Sequence, residues 1–303
     1  MERLKVNGIE LECEVHGAGE PVLLIDMLIA DCFVPLLTEP ALAGGYQLIR
    51  FHKRGWVGST HSAPPVSTED HAADAAALLD RLDIRCAHVV GHSTGASIAA
   101  QLALDHAEKV HTLTLLEPTL VSLPLGQAFL RSAGPVFEAY KRGDHSDAFA
   151  MFVAAASGLE WESCRALLED RIPGVVARSI ADANTLFGVE LPALPLWTFG
   201  PEEAARIRQS VLSVIGAETQ PLWVEIGEFL RSSLPDVEDC TIEGVGHLLQ
   251  IQRPEPVARG IAGFLARHPI STIEVERDST DANRPATPAQ REGAGYDVPS
   301  GAV

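Results

Sequence analysis

Apolar positions along this chain follow two rhythms. Leu4 to Val6 and Ile9 to Val15 alternate apolar with polar residues around Asn7-Gly8, which predicts a hairpin. After Gly17-Ala18-Gly19, Val22–Ile25 is a continuous apolar run, as in a strand buried on both faces. Further strands are expected at Tyr46–Phe51, Ala87–Val90 and Val110–Leu116. Helical spacing lies between them. One helix is expected near Cys32 to Leu42, and another behind Ser67-Thr68-Glu69-Asp70, where acids occupy the first turn. Ala72, Ala75, Ala76, Leu79 and Leu82 give that second helix its apolar face. Strands alternating with helices imply an α/β fold with a mostly parallel central sheet, an antiparallel start and helices on both faces.

After Glu117-Pro118 the pattern changes. Residues 119–207 hold amphipathic helical patterns broken by prolines and glycines, and no convincing strand. Sheet rhythm resumes at Val211–Ile215 and continues through a helix near Leu222 to Arg231, a strand at Val237 to Ile242 and a helix from Pro254 to Arg267. Residues 1–118 and 208–270 therefore form one core domain, with 119–207 inserted as a helical cap. From Ser271 the apolar rhythm is lost; 271–303 reads as a disordered tail unrelated to the chemistry.

Composition narrows the function. The chain of 303 residues has 46% hydrophobic and 21% charged residues, ordinary for a soluble globular protein. Its formal net charge of -18 argues against nucleic acid and anionic membranes as partners, since both favour basic patches. Cys13, Cys32, Cys86, Cys164 and Cys240 are scattered, with no paired spacing, as expected of reduced thiols. With no apolar signal core after Met1 and no long apolar run, a cytoplasmic location is expected. Homo-oligomer formation is left open. No metal is expected: His88 and His92 bracket a strand end rather than one helix face. No cofactor is expected either, because no glycine-rich dinucleotide fingerprint follows a strand.

One motif carries chemistry. Gly91-His92-Ser93-Thr94-Gly95 lies between the strand Ala87–Val90 and a helical run from Ala96 to Leu104. Gly-x-Ser-x-Gly in that context is a nucleophile elbow, a turn so tight that glycine is needed on both sides of the exposed serine.

With the elbow in place, residues 1 to about 268 resemble the α/β-hydrolase fold superfamily. Two further segments carry the resemblance: Phe51-His52-Lys53-Arg54-Gly55-Trp56-Val57-Gly58-Ser59, and Gly244-Val245-Gly246-His247 with Pro254-Glu255 beyond it. The first is similar to the family's Asp-x-Arg-Gly-x-Gly-x-Ser loop, with His52 replacing the usual Asp, a change expected to affect loop structure more than chemistry. The resemblance implies a triad in the order Ser, acid, His, with Ser93 as nucleophile and His247 as general base. Two acids compete. Glu218, in Gly216-Ala217-Glu218-Thr219, sits after the strand that usually carries the family's acid. Glu117 follows the strand after the elbow helix, an arrangement resembling some haloalkane dehalogenases and zearalenone-type lactone hydrolases. Pro118 directs the chain at Glu117 out of the sheet's carboxyl edge, which favours Glu117. The oxyanion donors implied are the amides of Thr94 and Met27, where Asp26-Met27 replaces the family's usual His-Gly.

The activity implied is cofactor-independent cleavage of an ester, lactone or similar acyl bond in a small apolar substrate by a Ser-His-Glu triad. C–C bond hydrolysis or perhydrolase chemistry would use the same triad, and a non-catalytic ligand-binding protein could keep the fold. The cap's Phe129, Phe137, Tyr140, Phe149, Met151, Phe152, Trp161, Phe187 and Trp197 are expected mostly to pack its own helices, with some facing the serine.

Overall fold

In the computed structural model, which describes residues 1–270, the chain opens with the expected hairpin, β1 (Glu2–Val6) and β2 (Ile9–Gly17). Leu11 and Cys13 of β2 point into the core while their neighbours face outward. The strands that follow are β3 (Glu20–Ile25), β4 (Tyr46–Phe51), β5 (Ala87–His92), β6 (Val110–Leu116), β7 (Ser210–Gly216) and β8 (Val237–Ile242). They form an eight-stranded sheet in the order β1-β2-β4-β3-β5-β6-β7-β8, parallel from β4 to β8. Because β3 is covered on both faces, Val22 and Leu24 pack into one apolar cluster while Leu23 and Ile25 pack into the other. Residues 1–270 form one compact unit. The 271–303 segment expected to be disordered lies outside the described residues.

The helix behind β4 begins where its acids place it. Ser67 Oγ accepts from the Asp70 amide at 3.1 Å and Asp70 Oδ2 accepts from the Ser67 amide at 2.9 Å, a reciprocal cap on Thr68–Arg81. The expected Cys32–Leu42 helix is not continuous. A single turn at Val34–Leu36 and a short helix at Pro40–Ala43 take its place. Pro35 and Pro40 lack the amides an unbroken helix needs. The buried Asp26 carboxylate also captures the amides of Asp31 (3.0 Å) and Phe33 (3.2 Å), pinning a turn where the helix would start.

Between β6 and β7 the described residues contain no strand. The longer helices there are Pro124–Ser132, Gly134–Lys141, His145–Ser157, Trp161–Arg171 and Val175–Ala181. Buried polar contacts tie the later part of this stretch to the loop after β4. Lys53 Nζ donates to Glu190 at 2.8 Å, the Val57 amide to Asp182 at 2.8 Å and Thr185 Oγ1 to the Gly55 carbonyl at 2.6 Å. Leaving one member of a buried ion pair such as Lys53–Glu190 unpartnered costs about 3–5 kcal/mol, so these ties hold the loop and the helices in register.

Candidate active site

The register of the sheet brings the ends of five strands to one edge. Ile25 pairs with Gly91, His92 with Leu116, and Gly216 with Ile242. Met27, Ser93, Glu117, Glu218 and His247 all leave the sheet there, the edge at which open α/β folds bind ligands.

Ser93 takes φ 54° and ψ -117°, a strained conformation for a residue with a side chain, and the helix Thr94–Asp105 begins directly after it. Both flanking glycines are obligatory. A Cβ on Gly91 would lie 2.3 Å from the Gly95 carbonyl oxygen, and one on Gly95 would lie 2.0 Å from that of Ile25. The Thr94 amide is in the first helical turn, where donors have no partner within the helix.

The two candidate acids part company. Glu117 is 2% exposed and takes φ 40°, a left-handed turn directly after β6. Its Oε2 accepts from His247 Nδ1 at 2.6 Å and from Thr219 Oγ1 at 3.1 Å, while Oε1 accepts from the Gly216 amide at 2.9 Å. Since a carboxylate can only accept, Nδ1 carries the proton and Nε2 is the basic nitrogen of His247. Glu218 is exposed. The last residue of β7 and the loop after it, where the family usually keeps its acid, here supply two donors to a carboxylate that follows the neighbouring strand.

His247 is 3% exposed and held on two further sides. The Trp223 indole lies parallel to it, with centroids 3.8 Å apart and 3° between planes. His92 approaches at 4.8 Å and 53°. Burial, reinforced by the charge His247 can carry, pushes His92 well below the usual histidine range, so it stays neutral. Gln250 Nε2 meets His92 Nδ1 at 2.8 Å. Ser93 Oγ rests 3.0 Å from Thr119 Oγ1, two residues beyond Glu117, rather than on the imidazole.

Ser93, Thr94, Thr119, His247 and Met27 line one cavity of about 620 Å³, counting its open mouth. Its walls are apolar, with Leu28, Phe129, Phe152, Leu191, Leu194 and Trp223 prominent, and no Lys, Arg, Asp or Glu among the described residues lines it. Of the nine cap side chains singled out in the sequence, Phe129 and Phe152 reach the cavity. Phe149 and Phe187 are buried in the core formed with the helices, and Trp197 is drawn away to Gln101 by a 2.8 Å bond. Met151 is exposed.

Both departures from the family's usual residues have structural work. Asp26 organises the loop after β3, its carboxyl raised by burial, and also accepts from Cys32 Sγ at 3.0 Å. His52 bridges Glu12 at 3.0 Å and Asp31 at 2.7 Å. Burial alone would lower it, but these acids outweigh burial and raise it. Asp31 also pairs with Arg50, and with Arg178 at 2.7 Å, and despite burial is held well below the carboxylate range. Sequence reasoning missed Trp223 and Thr119. Trp223 falls on the apolar face of a predicted helix, which gave no reason to separate it from core. Thr119, next to Pro118, could have been found by asking what else the turn after β6 brings to the elbow.

A parallel sheet carrying a serine elbow, with a histidine–carboxylate pair at the same edge, defines the architecture of the nucleophile-elbow hydrolases. The chain belongs to the alpha/beta hydrolase fold family, whose model matches residues 15–254. It is 30% identical over 265 residues to the provisionally named non-heme bromoperoxidase BpoC of Mycobacterium tuberculosis, covering 85% of this chain and 98% of that one. It is 31% identical over 284 residues to the provisionally named carbamate hydrolase RutD of Caulobacter vibrioides, covering 88% and 99%. Among solved structures it is similar to a thermophilic esterase from Thermogutta terrifontis, with TM-score 0.75 and 20% identity, covering 89% of this chain and all (100%) of that one.

Proposed function

We propose that this protein is a cofactor-independent serine hydrolase that cleaves an ester, lactone or similar acyl bond in a small, uncharged, apolar substrate, with residues 119–207 acting as the cap over the site. The observation that carries this reading is the shared cavity: a serine on a strained elbow and a histidine bonded at 2.6 Å to a buried glutamate open into one apolar chamber. Ser93 turns from Thr119 toward His247, loses its proton to Nε2 and attacks the acyl carbon. The Thr94 and Met27 amides receive the oxyanion. Glu117 holds the imidazole in the required tautomer and balances its charge when it is protonated. The proton then passes to the departing oxygen. A water, deprotonated by the same imidazole, releases the acid and restores Ser93.

A chamber without a charged wall disfavours anionic substrates, which would lose hydration there without gaining a partner. The experiment is turnover of a chromogenic short-chain ester by wild type and Ser93→Ala, alongside labelling by a fluorophosphonate. Loss of both in Ser93→Ala, with the fold intact by circular dichroism, is the expected result. Undiminished turnover in that variant refutes the reading.

A further inference from the structure

Trp223 has no role in the triad chemistry above, yet its ring lies flat against the base. Its indole covers the imidazole of His247 at 3.8 Å with 3° between planes, and it is 3% exposed. Resting on the triad reading, we infer that Trp223 is a positioning residue for His247: its π-face fixes the ring and favours the cation that forms there during turnover.

Three observations support this assignment. The first is geometric. The bond from Nδ1 to Glu117 leaves the imidazole free to rock about that axis, and a parallel indole removes the freedom. The second is electrostatic. When His247 takes the Ser93 proton it becomes an imidazolium, and the negative face of an indole attracts a cation, most strongly where water is excluded. The neutral resting ring gains less, so the stack favours the charged state reached in the transition state. His92 on another side stays neutral and offers that charge no comparable attraction.

The third is the anchoring of the indole itself. Its Nε1–H donates to the Ala156 carbonyl at 3.3 Å, at the end of the helix His145–Ser157. Gln220 reinforces the same joint, donating to the Ala155 and Ala156 carbonyls at 2.9 Å each. The inserted helices therefore reach the base through one rigid side chain: Ala156 holds Trp223, Trp223 holds His247, and His247 serves Ser93.

The test compares Trp223→Phe, which keeps a π-face, with Trp223→Leu, which keeps apolar bulk without one. Both are measured for kcat and KM on a short-chain ester and for the rate of Ser93 labelling by a small fluorophosphonate, which needs the base but little of the cavity. Trp223→Leu is expected to lose 10- to 30-fold in kcat and a similar factor in labelling rate, with KM changed less than about threefold. Trp223→Phe is expected to recover most of both rates. If Trp223→Leu labels at the wild-type rate and differs only in KM, Trp223 is a cavity wall and the inference is overturned. It is equally overturned if the two variants are impaired alike and melt at the same lowered temperature, which is the signature of a scaffold role. Ser93→Ala in parallel separates the two ideas: its continued turnover sinks the triad reading, whereas an inactive Ser93→Ala beside an unimpaired Trp223→Leu sinks only this inference.

Discussion

The choice of acid is the sharpest test of this site. Glu117→Gln keeps shape but removes the charge, and it alters three contacts: His247 Nδ1 at 2.6 Å, the Gly216 amide at 2.9 Å and Thr219 Oγ1 at 3.1 Å. A glutamine has only one acceptor oxygen. If that oxygen stays on the fixed Gly216 amide, the NH2 group faces Nδ1 and selects the tautomer protonated on Nε2. That tautomer cannot accept the Ser93 proton. In a serine protease the equivalent change costs about 10⁴-fold in kcat. We expect a loss of about 10²–10⁴-fold here, or ~3–6 kcal/mol of transition-state stabilisation at ~1.4 kcal/mol per tenfold. The lower end applies if the glutamine flips and keeps its oxygen on Nδ1. Glu218→Gln changes an exposed side chain and should stay within about twofold of wild type. Steady-state turnover of a chromogenic ester reads both, with melting temperature as the control for folding. Wild-type kcat in Glu117→Gln together with a collapse in Glu218→Gln would refute the assignment.

Two further outcomes follow from neighbouring contacts. Thr119→Val removes the hydroxyl on which Ser93 Oγ rests at 3.0 Å, a bond worth ~0.5–1.5 kcal/mol net, and should speed fluorophosphonate labelling about two- to fivefold by freeing the serine to reach His247. Slower labelling would mean that Thr119 assists the nucleophile instead. His52, buried between Glu12 and Asp31, is raised in the folded state, so its stabilisation is complete below the unfolded histidine value near ~6.5 and is lost as pH rises through the folded value. Thermal melts of His52→Gln should show a shallower fall on the alkaline side than wild type, and an unchanged slope counts against this account.

How legible the protein was depends on how far apart the deciding residues lie. The alternation of buried strands and amphipathic helices, the capped start at Ser67 and the Ser93 elbow were readable because each is set by residues within a turn or two. Turn geometry, capping and hydrophobic period act at that range. The broken helix at Cys32–Leu42 marks the limit: two prolines were visible, but the Asp26 carboxylate that pins the turn acts through folding of the loop. His247 was placed by its resemblance to a family pattern, whereas Trp223 carried no pattern.

The sequence by itself determined the class of fold, the elbow with its two required glycines, and a short list of partners for the serine. Only the tertiary structure brought one of the two glutamates to the imidazole, across 130 positions of chain, and left the other in solvent. It also turned the last residue of β7 and the loop after it into donors for Glu117, set Thr119 against Ser93 and laid Trp223 flat on His247. The reason is range. Backbone conformation at the elbow is enforced by adjacent atoms, so it is written locally, whereas the contacts of a side chain at a sheet edge depend on strand order and register, which emerge when distant segments pack together.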